Sequence, residues 1–115
     1  MKKVLLVLAV VLSTLTMNAQ LSKTATFVKK ELPTRYQEIR SMSINEWGSD
    51  HEMVVYTINK QSEALIVIMT EIMKSPSYDK DVFVRALNEW GTKEGYTDWT
   101  MVLYTYNNQI KNKNY

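Results

Sequence analysis

Several stretches of the chain place large apolar residues three and four positions apart, the spacing of one face of an α-helix. The longest begins at Met53 and continues to Ile72, with no Gly or Pro until Pro76. Shorter stretches cover residues 34–47, 82–90 and 101–110, and a weaker one covers 21–32. The pattern therefore predicts an all-α protein with four main helices, preceded by one short or frayed helix.

Paired signals place the ends of the main helices. Gly48 and Gly91 each follow a tryptophan and predict helix ends, because the left-handed backbone that often follows a last turn is easily adopted by glycine. Asp50 and Asp98 predict helix starts, because a carboxylate can accept hydrogen bonds from the free N–H groups of a first turn. The four helices are thus expected to form two hairpins.

Two further helix starts have separate signals. Thr34 and Gln37 have the spacing of a capping box, which predicts a helix start at Thr34. Pro76 is expected in the first turn of the third main helix, where its missing N–H costs nothing. An α+β alternative stays open, in which the Met53–Met69 region forms a β-hairpin, because both halves of this region are rich in β-branched residues. The absence of a Gly or Asn-Gly turn between the halves favours the helix.

The two predicted hairpins also share sequence. DHEMVVYTINKQ at 50–61 matches DWTMVLYTYNNQ at 98–109, and Asn-Glu-Trp-Gly precedes both segments. Fixed internal repetition of this length is typical of stacked helical hairpins. We therefore predict a small helical bundle of two tandem helix-hairpin repeats, with repeat one at about 34–74 and repeat two at about 77–113.

The first residues have the features of an export signal. Lys2 and Lys3 precede an apolar run, Val4–Leu12, and a small residue, Ala19, follows a more polar stretch. The run is too short to span a membrane, which takes about 20 residues, so we predict a cleaved signal peptide at 1–19 and a single helical domain at 20–115. Periplasmic or secreted localisation follows, with no stable membrane insertion after cleavage.

Charge and cysteine content narrow the function further. Of the 14 Lys and Arg residues, two lie in the predicted signal, so 12 remain against 12 Asp and Glu. A neutral mature chain lacks the basic surface expected of a nucleic-acid-binding protein. Cysteine is absent, so core packing must hold the exported domain together without disulfides.

Four matched residues are the candidates for a ligand-binding site: Trp47, Gln61, Trp90 and Gln109. Both glutamines fall among the apolar positions of their helices, where a buried amide needs hydrogen-bond partners. One hypothesis is that Thr57 or Tyr56 and their counterparts in the second repeat, or the two glutamines themselves, satisfy the amides and set the helix register. The other is that a ligand does so, in a pocket with tryptophan walls.

Other side chains carry weaker chemical signals. Glu46 and Glu89 are matched carboxylates, the kind of pair that can act in acid–base catalysis. His51 lies between two acids, but adjacent helical residues point in different directions and do not converge on one ion. Met69 and Met73 are one turn apart and could bind a soft cation such as Cu(I), although methionine is commonly a core filler. We predict no catalytic residues, no metal site and no cofactor.

These features favour an exported, non-catalytic helical module that mediates protein–protein interaction or self-association. The alternative is a small-ligand or metal-binding carrier whose pocket lies between the two helix pairs.

Overall fold

The computed structural model describes residues 20–92 and 96–113. These residues form five α-helices and no β-strand: α1 Lys23–Glu31, α2 Pro33–Trp47, α3 His51–Val67, α4 Lys80–Trp90 and α5 Trp99–Lys111. A π-helical turn, Ile68–Ile72, continues α3. The all-α prediction is confirmed, and the β-hairpin alternative is wrong because the Met53–Met69 region is helical throughout. The predicted signal at 1–19 lies outside the described residues.

The two aspartate caps form as predicted. Asp50 Oδ1 accepts a hydrogen bond from the backbone N–H of Met53 at 3.3 Å. Asp98 Oδ1 accepts the corresponding bond from Met101 at 3.2 Å. Each carboxylate also lies at the positive end of a helix dipole, so the long helices α3 and α5 begin where their sequences indicate.

The predicted starts of α2 and α4 are wrong. α2 begins at Pro33, after Leu32, and no side chain caps it, so the Thr34–Gln37 capping box does not form at the helix start. Proline suits this first position because its φ angle is already helical. α4 begins at Lys80, because Asp79 caps it by accepting from the N–H of Val82 at 3.1 Å. Pro76 therefore belongs to the turn before α4.

The two Trp-Gly helix ends differ in the backbone. Gly48 has the positive φ that was predicted, +61°, which glycine adopts easily, but its ψ of −123° lies outside the left-handed helical region. Gly91 instead has a φ of −90° and a ψ of 146°, so the prediction is wrong there. Gly91 itself is extended and forms an isolated antiparallel bridge with Thr97. The backbone N–H of Asp98 also donates to the carbonyl of Trp90 at 3.1 Å, which joins the residue before α5 to the last residue of α4.

The helices pack as two hairpins, α2 with α3 and α4 with α5, and α3 joins the hairpins by packing against α5. The core runs through all five helices, and α1, α2, α3, the π-helical turn and α5 each contribute a fully buried large side chain: Val28, Ile39, Met53, Ile68 and Val102. In the part of the chain that the structure describes, no helix has the length and apolarity that crossing a membrane requires.

Helix α1 is short, as predicted, but it is part of the core and not a frayed extension. Ala25 and Val28 are fully buried where α1 packs on α2 and α3. Ser22 caps α1 by accepting from the N–H of Ala25 at 3.0 Å. The N–H of Ser22 in turn donates to Asn59 Oδ1 of α3 at 2.8 Å. These bonds fix the start of α1 beside the middle of α3.

Candidate functional site

The two tryptophans each make the same hydrogen bond within their own hairpin. The indole N–H of Trp47 donates to Thr57 Oγ1 at 2.8 Å. The indole N–H of Trp90 donates to Thr105 Oγ1, also at 2.8 Å. Each bond joins the end of the first helix of a hairpin to the second helix, so the polar edge of each ring is paired while its body packs with the core.

Gln61 is buried and bonds to the start of α5. Its Oε1 accepts from the backbone N–H of Trp99 at 2.6 Å, and its Nε2 donates to Asp98 Oδ1 at 2.8 Å. Thr100 Oγ1 donates to the same carboxylate oxygen at 2.7 Å. The amide is thus satisfied by protein, as the first hypothesis expected, but its partners are neither Thr57 nor Gln109. Gln61 fixes the first hairpin to the second.

Gln109 has a different environment from Gln61. Its side chain is exposed and lines a shallow cavity of about 200 Å³ with Arg85 and Glu89. Since helices rise about 1.5 Å per residue, Gln109 lies about 15 Å along α5 from the Trp99 end that Gln61 binds. The expectation that Gln109 lies among core positions is wrong, and the four predicted ligand-binding residues do not converge on one pocket.

The weaker candidates are exposed side chains. Glu46 and Glu89 are both exposed and lie near the ends of different helices, α2 and α4. His51 is exposed at the start of α3. Among the described residues, no group of three or more His, Cys, Asp and Glu side chains is placed to hold a metal ion.

A second cavity lies at the connection between α4 and α5. It has a volume of about 300 Å³ and is lined mainly by polar residues, among them Arg35, Asn88 and Thr97. The Arg35 guanidinium is already paired with Glu38 at 2.8 Å and lies 5.9 Å from the centre of the Trp99 ring. Its charge is therefore largely committed within the protein.

The largest of these cavities is an apolar groove between α1 and the end of α3, with a volume of about 490 Å³. We call this the α1–α3 groove, and define it by its lining residues: Lys23, Thr24, Phe27, Ile66, Met69, Thr70 and Lys74. Phe27 is 52% exposed and Met69 is 37% exposed. Met73, which the sequence pairs with Met69 as a possible ligand of a soft cation, is 45% exposed and follows Met69 by four residues. These apolar side chains line one concave place, which makes the groove a candidate binding site.

The π-helical turn shapes one wall of this groove. The backbone N–H of Met73 donates to the carbonyl of Ile68 at 2.9 Å, five residues back, so one extra residue is inserted in the helical turn. Thr70 Oγ1 donates to the Ile66 carbonyl at 2.7 Å, a side-chain bond to the backbone four residues back. Turns of this kind are frequent at functional sites, and this one presents Met69 and Thr70 to the groove.

The groove was not predicted from the sequence. The sequence predicts a weak helix around Phe27, and it indicates either core filling or soft-metal binding for Met69 and Met73. The sequence does show that these apolar residues do not all fit the core face of their helices. It does not show that they lie together, because that depends on the packing of α1 along α3.

A polar cluster joins the α3–α4 connection to α5. Lys113 forms an ion pair with Asp79, and the backbone N–H of Asp79 donates to the Tyr106 hydroxyl at 2.9 Å. The Lys113 ammonium and, secondly, the N–H of Val82 hold the pKa of Asp79 below its ordinary value of 3.8, while the Asp79 carboxylate raises the pKa of Lys113. Burial of the phenol raises the pKa of nearby Tyr78.

This cluster predicts a pH effect on stability. Because the folded pKa of Asp79 is depressed, its contribution is present above its unfolded pKa and is lost as pH falls through the folded value. Asp79→Asn retains an N-cap residue but removes the charge. We expect the variant to have a lower free energy of unfolding than the unmodified protein at neutral pH. The difference between the two should disappear in acid, below about pH 4, where Asp79 itself becomes protonated. Urea unfolding at a series of pH values measures the difference.

The matched control for this experiment is Asp81→Asn, which removes a carboxylate from the same first turn without removing the cap. A deficit in Asp79→Asn that persisted unchanged in strong acid would show that the ion pair does not cause it.

Comparison of the chain with protein-family models, with curated proteins and with solved structures finds no match. Function is therefore argued from the geometry of the described residues.

Proposed function

We propose that the protein is an exported, non-catalytic helical module that binds another protein through the α1–α3 groove. The observation that carries this proposal is the half-exposed Phe27 beside Met69 in an apolar groove of about 490 Å³. Methionine side chains adapt to different partner shapes and are common at binding surfaces of this kind. Export rests on the signal peptide predicted at 1–19.

The openness of the groove walls favours a protein partner over a small molecule. Small-ligand sites usually bury about 70–90% of the ligand surface, and such enclosure is not expected where the lining residues Phe27 and Met69 are 52% and 37% exposed. A surface of this kind contacts its partner from one side. An amphipathic helix of a partner protein could bind such a surface, because its apolar face would lie in the groove while its polar face stayed in water.

Self-association by further hairpin stacking is less well supported. Ala64 and Leu65 are buried in the first hairpin. At the corresponding positions, 48 residues later, the second hairpin carries Asn112 and Lys113, which are exposed. Polar residues at the end of a helical stack oppose the addition of another unit, so the supported partner is a different protein.

Site-specific photo-crosslinking in the native host tests the proposal. A photoreactive phenylalanine analogue at position 27 is expected to give a discrete protein adduct. The same analogue at position 104 is the control, because Tyr104 is 61% exposed but does not line the α1–α3 groove. Absence of an adduct at position 27, or the same adducts from both positions, would contradict the proposal. An adduct of twice the monomer mass would support self-association instead.

A small apolar ligand is the second candidate, because the groove volume lies within the range of about 300–1,000 Å³ seen for small-molecule sites. Native mass spectrometry of the protein purified from its host distinguishes the two candidates. A retained small mass that is lost in Phe27→Ser would favour a carrier.

A further inference from the structure

We propose that the partner of the α1–α3 groove is an amphipathic helix whose apolar stripe is flanked by acidic residues at both ends. This inference rests on the proposed function and adds the chemical class of the partner. Its basis is the placement of two lysines at the groove, together with the direction in which α1 lies on α3.

The direction of α1 follows from its two ends. Its start is fixed beside Asn59, to which the N–H of Ser22 donates at 2.8 Å. Only Leu32 separates the end of α1 from the start of α2. Since α2 and α3 form a hairpin joined by three residues, the start of α2 lies at the far end of α3. Helix α1 therefore runs in the same direction as α3, from its middle towards the π-helical turn.

This direction places positive charge at both ends of the groove. Lys23 is the first residue of α1, on the side nearer Asn59, and Lys74 lies just beyond the π-helical turn. Both side chains line the groove, and of the described residues that line it none is acidic. Among the described residues, neither lysine has a salt-bridge partner, since the ion pairs there involve Arg35, Lys60 and Lys113. Two ammonium groups remain available to an incoming partner.

The floor between the lysines is apolar and suits a helix. Phe27, Ile66 and Met69 supply it, and side chains three and four residues apart on a partner helix would contact successive parts of such a strip. Carboxylates on the partner, one near each end of its stripe, would meet Lys23 and Lys74. Charge complementarity of this kind mainly provides specificity, orientation and association rate.

Two designed peptides test this inference directly with the mature chain. Both are helices of about 18 residues, above the length at which isolated helices are only marginally formed, and they share one leucine stripe. One carries glutamates at both ends of the stripe and the other carries lysines there. Fluorescence anisotropy of the labelled peptides is expected to show about tenfold tighter binding of the glutamate peptide. That preference should weaken at high salt.

Charge reversal in the protein provides the decisive comparison. In Lys23→Glu/Lys74→Glu the preference is expected to change to the lysine peptide. The matched control, Lys80→Glu/Lys111→Glu, makes the same change of net charge at exposed positions outside the groove and should retain the preference for glutamate. Phe27→Ser is expected to weaken binding of both peptides by about tenfold or more.

The outcomes separate this inference from the function on which it rests. Equal binding of both peptides, lost in Phe27→Ser, would overturn the acidic-partner inference and leave a helix-binding groove. Binding of neither peptide would also overturn it, while a crosslinked protein adduct at position 27 would still support the proposed function. Binding of laurate, a fatty acid with one acidic head group, without binding of either peptide would identify an anionic lipid as the occupant and overturn the inference.

Discussion

Replacing Trp47 by alanine is expected to lower the free energy of unfolding by about 4 kcal/mol, in the range for truncation of buried tryptophan. The side chain is only 6% exposed, and it packs with the core at the junction between α2 and α3. The substitution also leaves Thr57 Oγ1 without the indole N–H that donates to it at 2.8 Å. Urea unfolding followed by far-ultraviolet circular dichroism measures the loss.

Tyr56→Ala is the control for this substitution, because it removes a large aromatic ring that is 48% exposed from the neighbouring turn of α3. We expect a change below about 1 kcal/mol, as for most exposed positions. If the two variants were equally stable, Trp47 would not be the core residue that its burial indicates.

Replacing Gln61 by leucine is expected to cost about 2–3 kcal/mol. Leucine keeps most of the volume, so the loss comes from the hydrogen bonds and not from a cavity. The backbone N–H of Trp99 donates to Gln61 Oε1 at 2.6 Å in a buried position. In the variant this N–H would be left without that acceptor. A buried donor in this state costs about 1–3 kcal/mol, and the bond to Asp98 Oδ1 would be lost as well.

Gln109→Leu makes the same chemical change at the corresponding position of α5. Because the Gln109 side chain is exposed, its expected effect is within about 0.5 kcal/mol. The comparison of the two variants by urea unfolding tests whether Gln61 joins the hairpins. Similar losses in both variants would contradict that role and would indicate that the glutamine matters within each hairpin.

The unequal environments of these glutamines have a simple cause. Gln61 meets the start of α5 because a second hairpin follows the first. Within the described residues no third hairpin follows the second, so Gln109 has no helix start to bind. His51 and Trp99 show the same asymmetry, since Trp99 is buried at the junction of the hairpins and His51 is exposed. Matched sequence positions therefore need not have matched environments.

Local signals predicted the two aspartate caps correctly, although the equally local capping box at Thr34 did not form at the start of α2. The caps at Asp50 and Asp98 involve a side chain and an N–H three residues on, so the chemistry is local. The apolar spacing of α3 and α5 likewise depends only on helical geometry. Gly91 shows the limit of such local reasoning. Its extended backbone pairs with Thr97, and the sequence of the preceding helix does not indicate this pairing.

By itself, the sequence determined that the chain is helical, where its long helices α3 and α5 begin, and that the two Trp-Gly motifs end the first helix of each hairpin. These follow from interactions within a few residues. Only the tertiary structure decided that Gln61 bonds to α5, that α1 belongs to the core, and that Phe27 and Met69 share a groove flanked by Lys23 and Lys74. These contacts join residues about 35–45 positions apart, and such pairing depends on how whole helices pack, which no local pattern specifies.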